Sequence, residues 1–302
     1  MCTAVSYLTR QHYFGRNLDL ERGYGEGVVI TPRSYPFPFA NHHRAMIGMA
    51  AVVHGYPLYF EATNEKGLSM AGLNFPGNAV YQPHCPDKEN VAPYELIPYV
   101  LSLCDTLEEA MVQLERINVE HRNFSEDLPV SPLHWMIADR RGCAVVECTG
   151  SGMKLHENPY GVLTNNPTFD YHLMNIQNYS GLHEGALTEH DYSLGMGAMG
   201  LPGDYSSPSR FVKAVFVKQH SVCDGEESRS VNQFFKILSA VAMPKGCVRT
   251  PDGQYEYTRY TSCCNTDTLR YYYTTYDDPT VRSVSLEQEW MDGANLSVTP
   301  IA

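Results

Sequence analysis

The sequence predicts an α+β fold of antiparallel sheets with segregated helices, on three observations. Segments of β character come in blocks, helical periodicities fall between the blocks, and no βαβ alternation runs through the chain. With 302 residues, 43% apolar and 19% charged, the chain has the length and composition to bury one large core or two modest ones.

The first block holds short β segments expected at Cys2–Leu8, Tyr13–Leu18, Val28–Thr31, Met46–Val53, Leu58–Glu61 and Leu68–Leu73. Gly23, Gly25, Gly27, Pro36, Pro38 and the turn Asn64-Glu65-Lys66-Gly67 set them apart. From Asp105 to Ile117 the spacing becomes helical. Leu107, Ala110, Met111, Leu114 and Ile117 share one face, with Asp105 as the expected cap and Glu108 three residues on. Strands are expected again at Leu133–Ala138 and Cys143–Thr149, around Asp139-Arg140-Arg141-Gly142. Two helices are expected over Pro208–Gln219, capped by Ser207 with Pro208 at its first position, and over Val231–Val241. Thr258–Cys263 and Leu269–Tyr276 return to β. Residues 172–204, rich in Gly, Tyr and Met, follow neither period and read as a surface excursion or as an arm embracing a second subunit.

Composition narrows the function. A net charge of −12 argues against a nucleic-acid partner, and an anionic ligand would need local arginines. No stretch approaches the ~20 apolar residues of a membrane span, and Met1-Cys2-Thr3-Ala4-Val5-Ser6-Tyr7 lacks the features of an export signal, so a cytoplasmic protein without a membrane partner is expected. Nine cysteines then read as reduced thiols. Twelve histidines, including His42-His43, form no His-Glu-x-x-His pattern, and Cys143 and Cys148 flank a strand-like apolar run, so neither metal nor cofactor is expected. Cys263-Cys264 are strand neighbours whose side chains point to opposite faces, which disfavours a bond between them. The run Tyr271-Tyr272-Tyr273 reads as sheet, not as a base-stacking platform.

Cys2 is the residue with distinctive chemistry. Excision of Met1 leaves an α-amine and a thiol on one residue, with reference pKa values of ~7.7–8.0 and ~8.5, so that base and nucleophile coincide. Taken alone, it reads first as a small buried side chain of the first strand. Gly15-Arg16-Asn17-Leu18-Asp19 lies where a hairpin through Gln11-His12 brings it beside Cys2. Arg16 would lower the thiol pKa and disfavour a protonated amine, and Asp19 would accept a hydrogen bond from that amine. For Arg16 and Asp19 by themselves, a strand-end ion pair is the favoured reading.

Together these residues resemble the choloylglycine hydrolase family, which holds bile salt hydrolases and penicillin V acylases among the N-terminal-nucleophile hydrolases. Further markers are Asn64-Glu65-Lys66-Gly67-Leu68, Ala71-Gly72-Leu73-Asn74-Phe75-Pro76, Leu133-His134-Trp135-Met136, Gly161-Val162-Leu163-Thr164-Asn165-Asn166-Pro167, Leu201-Pro202-Gly203-Asp204, Ser209-Arg210-Phe211 and Tyr260-Thr261-Ser262-Cys263. The resemblance spans nearly the whole chain and implies one domain over 1–302 with a four-layer αββα sandwich. It implies Cys2 as nucleophile with its α-amine as base, Arg16 and Asp19 as activators, Asn74 and Asn165 near the oxyanion, and Arg210 as the remaining charged member. Asparagine at position 74, where penicillin V acylases commonly carry tyrosine, favours glycine- or taurine-conjugated bile salts cleaved through a Cys2 thioester, with Leu18, Phe124 and Leu128 lining an apolar pocket. The family also implies a homo-oligomer, often a tetramer. A penicillin V acylase and a non-enzymatic steroid- or acyl-binding protein are the competing readings; the latter has no need of Cys2, Arg16 and Asp19 together.

Overall fold

A computed structural model describes residues 1–185 and 192–301 of the chain. Two antiparallel sheets pack face to face. The first runs in the order Val162–Leu163, Cys2–Leu8, His12–Leu20, Tyr255–Asn265, Arg270–Thr275, Arg282–Ser285, with Val248–Arg249 paired onto Tyr255–Asn265. The second runs Gly152–Glu157, Gly142–Thr149, Leu133–Asp139, Ser69–Asn74, Tyr56–Asn64, Met46–Val53, Glu26–Thr31, Ser297–Pro300. Both are built largely from hairpins, which is why β residues arrive in blocks.

Strand period two distributes the apolar side chains of the second sheet between two cores. Ile47, Met49, Ala71, Leu73, Met136, Ala138 and Val145 face the first sheet, in a core that continues to Phe211 and Phe234 of the helices Ser207–Gln219 and Glu227–Ser239. Met46, Ala50, Met70, Trp135, Ile137 and Val146 face the helices Leu96–Leu103 and Leu107–Arg116. The register shifts between Met49, paired with Glu61, and Ala50, paired with Tyr59, so Phe60 is the extra residue of a bulge in Tyr56–Asn64. The layers are therefore helix, sheet, sheet, helix, the αββα order expected from the family.

Close backbone approach is needed at two glycines. A Cβ at Gly15 would lie 2.1 Å from the Ser262 carbonyl oxygen, and one at Gly48 would lie 2.0 Å from that of Glu61. Any side chain there forces the neighbouring strands apart.

The helix expected over Asp105–Ile117 is Leu107–Arg116, and its cap differs from expectation. Thr106, not Asp105, is the N-cap, its hydroxyl accepting from Glu109 N at 3.2 Å, while the Glu109 carboxylate reaches back to Asp105 N at 2.7 Å. The carboxylate of the box is thus Glu109 instead of Glu108, because three residues separate a cap from its reciprocal partner. Likewise Ser206, not Ser207, precedes the helix Ser207–Gln219, and Pro208 is its second residue. The hydroxyl of Ser207 is taken up elsewhere, donating to Thr164 Oγ1 at 2.9 Å and accepting from Asn165 N at 2.8 Å. The expected Val231–Val241 helix starts a turn earlier, at Glu227.

Leu96–Leu103 was not legible as a helix. Leu96 through Ser102 are all buried, so no polar face marks the period, and Pro98 interrupts the pattern. The helix Phe169–Asn175 runs into the start of 172–204, where Ile176–Tyr179 and Met196–Ala198 form short turns of helix; part of the anticipated arm, 186–191, lies outside the described residues.

Candidate active site

The hairpin formed by the first two strands sets the site by register. Cys2 pairs with Leu18 and Ala4 with Arg16, so these four side chains share the face toward the second sheet. Thr3, Asn17 and Asp19 have the opposite parity. The side-chain amide of Asn17 accordingly donates to the Leu238 carbonyl in the helix layer, at 2.9 Å. Arg16 approaches the first strand from between the sheets, and Arg210, on the helix Ser207–Gln219, approaches it from beneath.

Arg210 is buried and fixed on three sides. Its Nη1 donates to Cys2 O at 2.6 Å and to Thr3 Oγ1 at 2.7 Å, and its Nη2 donates to Asn165 Oδ1 at 2.8 Å. The same Oδ1 accepts from Cys2 N at 2.8 Å, and Asn165 Nδ2 donates to the Asn74 carbonyl at 2.7 Å. Asn165 thus ties together both strand ends and the arginine. Burial lowers the Arg210 pKa, opposed by Asp19 and Cys2.

Arg16 is also buried. Its Nη1 donates to Gly72 O at 2.5 Å and Phe60 O at 3.0 Å, and its Nε lies 3.9 Å from Glu61 Oε2. Nη2 has no partner. Burial opposes the charge of Arg16, but Cys2, Tyr260, Glu61 and Asp19 outweigh it and raise its pKa. Glu61 accepts from Tyr271 Oη at 2.5 Å, Tyr260 Oη at 2.8 Å and Ser262 Oγ at 2.9 Å; burial pushes its pKa up, against Arg16 and these hydroxyls.

Asp19 Oδ1 accepts from Thr258 Oγ1 at 2.6 Å, while its Oδ2 is buried without a partner. The ladder extends through Met1. Asp19 N donates to Met1 O at 3.0 Å, and the Met1 amine donates to Asp19 O at 2.7 Å and pairs with the Glu256 carboxylate. Burial lowers the pKa of that amine.

Above Cys2 opens a cavity of about 450 Å³, within the ~300–1,000 Å³ range of small-molecule sites. Cys2, Arg16, Gly72 and Asn74 are at its polar end. Leu18, Phe124 and Leu128 line it, together with Leu20, Leu58 and Ile97. Phe124 sits in a loop closed by Phe124 N to Leu128 O at 3.2 Å, and packs edge-on against Tyr94 with ring centroids 5.2 Å apart. The structure therefore brings Cys2, Arg16, Asn74, Leu18, Phe124 and Leu128 to one cavity, and sets Asp19, Asn165 and Arg210 behind its wall.

Several supporting residues were missed. His134 Nε2 faces the Thr164 carbonyl at 2.9 Å and its Nδ1 faces Glu147 Oε1 at 3.1 Å, while His172 Nε2 meets the Asn165 carbonyl at 2.9 Å. These brace the backbone that presents Asn165. The available signal was a charged residue inside a strand of apolar neighbours, as at Glu61 in Leu58–Glu61 and Glu147 in Cys143–Thr149. All nine cysteines are free, and among the described residues no cluster of three or more His, Cys, Asp or Glu is placed to hold a metal ion. No described helix is long and apolar enough to cross a membrane.

Two packed sheets between helix layers, with the second residue of the chain buried at the end of a cavity, define the architecture of the N-terminal-nucleophile hydrolases. The family model for linear amide C–N hydrolases of the choloylglycine hydrolase family matches residues 2–299. The chain belongs to that family, whose members hydrolyse linear amides. It is 48% identical to the bile salt hydrolase/transferase of Lactiplantibacillus plantarum, covering 100% of this chain and 97% of the relative. It is 38% identical to the conjugated bile acid hydrolase of Lactobacillus gasseri, covering 98% and 99%. A crystal structure of a mutant conjugated bile acid hydrolase from Clostridium perfringens superposes with a TM-score of 0.91 at 33% identity, over 100% of this chain and 97% of that one. Penicillin V acylase from Agrobacterium tumefaciens shares the fold, with a TM-score of 0.78 at 20% identity over 98% and 90%.

Proposed function

We propose that the chain hydrolyses the amide between a bile acid and glycine or taurine, with Cys2 as nucleophile after loss of Met1. The observation that carries this reading is a largely apolar cavity ending on Cys2, Arg16 and Asn74. A conjugated bile salt has the matching shape, a rigid apolar body joined through one amide to a small polar group.

In this reading the freed α-amine of Cys2 takes the thiol proton. Asn165 Oδ1, already 2.8 Å from Cys2 N, and the unpartnered Asp19 Oδ2 direct that amine. Arg16, which lines the cavity with Cys2, and Arg210, bonded to the Cys2 carbonyl, set two guanidinium groups about the nucleophile. The thiolate attacks the amide carbon, and the oxyanion forms beside the Asn74 side chain, a neutral donor that stays a donor at every pH. Asn165 acts near the oxyanion by holding the Asn74 main chain. The terminal ammonium returns its proton to the departing amine of glycine or taurine, leaving a Cys2 thioester. Water, deprotonated by the same amine, cleaves the thioester, and the bile acid leaves.

Leu18, Phe124 and Leu128 take the steroid body in this reading, and no cofactor takes part. Residues 172–204 provide subunit contacts of a cytoplasmic homo-oligomer, a tetramer in the form we favour; light scattering of the purified protein measures the subunit number. The substrate assignment is tested with processed protein, its N-terminus verified by mass spectrometry. Release of glycine or taurine from conjugated bile salts is expected to exceed release of phenoxyacetic acid from penicillin V; the reverse preference overturns it.

A further inference from the structure

Glu61 lies outside the cavity lining, yet it is among the most completely enclosed carboxyl groups of the protein. It belongs to the second sheet, and every group it meets belongs to the first. Tyr260 and Ser262 come from Tyr255–Asn265, Tyr271 from Arg270–Thr275, and Arg16 from His12–Leu20. Cys264, on the Tyr255–Asn265 strand, is the remaining titratable group in its field. A polar staple between sheets has no use for a charge, since removing a carboxylate from water costs several kcal/mol unless a counter-ion is at hand. The three hydroxyls are neutral. Arg16 is the charged partner.

The partners of Arg16 divide in the same way. Phe60 O, Gly72 O and Asn17 O accept from Nη1 and Nε, all neutral carbonyls, with the Asn17 bond long at 3.5 Å. Among the described residues, Glu61 is the carboxylate within 4 Å of the Arg16 guanidinium, with Asp19 acting on it from farther away, while Nη2 is left unpartnered in a residue that lines the cavity with Cys2.

We infer that Glu61 is a positioning residue for Arg16: it fixes the guanidinium from the side away from the cavity and limits the positive potential that Arg16 presents to the Cys2 thiol. The inference rests on Cys2 being the nucleophile, and not on the identity of the substrate. It differs from a packing role in one measurable respect. Removing a negative charge near Arg16 makes the thiol ionise more readily, whereas loosening the sheets alone does not.

The test is the pH dependence of Cys2 alkylation by iodoacetamide in the processed protein, read by mass spectrometry on the N-terminal peptide so that the other cysteines do not interfere. In Glu61→Gln the alkylation midpoint is expected to fall by about one pH unit. With glycine- and taurine-conjugated bile salts, kcat is expected to fall roughly tenfold with KM within about twofold, because a less basic thiolate is a weaker nucleophile and Arg16 is less well held. An unchanged midpoint in a folded Glu61→Gln protein overturns the inference. Should that variant not fold, Tyr271→Phe keeps the charge and removes one donor to it. Its midpoint is expected to rise by a few tenths of a unit, and a fixed or lowered midpoint overturns the inference. A shifted alkylation midpoint in a protein inert toward bile salts supports the role of Glu61 and rejects the substrate.

Discussion

The closed end of the cavity and its mouth are built by different means. At the closed end, Cys2, Arg16 and Leu18 are placed by strand register, and Arg210 and Asn165 are locked to each other and to Cys2 and Thr3 by hydrogen bonds of 2.6–2.8 Å. At the mouth, Phe124 and Leu128 stand on an irregular loop and are held by aromatic packing and by three local hydrogen bonds of 3.2–3.4 Å among Phe124, Ser125 and Leu128. Slipping a ladder by one residue would reverse every side chain at the closed end, whereas a loop can change shape without disturbing a strand. Under the proposed function, chemistry is thereby separated from substrate choice.

The separation is broken most severely at Cys2. Cys2→Ala removes the proposed nucleophile while leaving a small side chain in the strand, and we expect turnover to fall by about 10⁴-fold or more with bile-salt affinity retained. Steady-state kinetics together with equilibrium binding of the conjugate checks both halves. Binding lost along with turnover would show that the two ends are not independent.

Acid sharpens the comparison. His172, braced against the Asn165 carbonyl, and His12, in the hairpin that carries Arg16, are both held by burial at a pKa of about 4, below the ordinary 6.5. Both are neutral when folded, and each binds a proton more readily once unfolded. Their contribution is complete above about pH 6.5 and is lost as pH falls toward 4, on the order of 3 kcal/mol for each. Urea unfolding midpoints are expected to drop across that window, and His172→Gln should flatten the drop. Parallel curves for wild type and variant would contradict this.

The smallest effect is expected at the mouth. Phe124→Ala should raise KM for conjugated bile salts by roughly tenfold or somewhat more, with kcat within about threefold, since a lost apolar contact is worth about 1–3 kcal/mol. A larger fall in kcat than rise in KM would show that the mouth also aligns the amide.

Most strands were legible because both sheets are hairpin-built and their turns carry Gly, Pro and Asn. Leu107–Arg116 was legible because one side is wet. Leu96–Leu103 was not, because a helix buried all round loses the polar positions that reveal its period. Cap positions were displaced by one residue at Thr106 and Ser206, as propensity alone does not choose between adjacent Asp-Thr or Ser-Ser. At the site, residues within one hairpin were readable from spacing. Asn74, Asn165 and Arg210 were reachable only through family resemblance, because strand order brings together positions far apart in sequence. Glu61 and His172 escaped both routes, since their role is visible only in what they touch.

The extra rung of the ladder at Met1 has a bearing on biosynthesis. An exopeptidase must grasp the terminal amine and the first peptide carbonyl, and in the folded chain both groups of Met1 are engaged with the Asp19 backbone. Excision is therefore easiest while the nascent chain is still open, before the strand at residues 12–20 exists to pair with it. Under the proposed function, a molecule that closes the hairpin first ties up both groups an exopeptidase must grasp, so removal of Met1 and pairing of the first two strands compete.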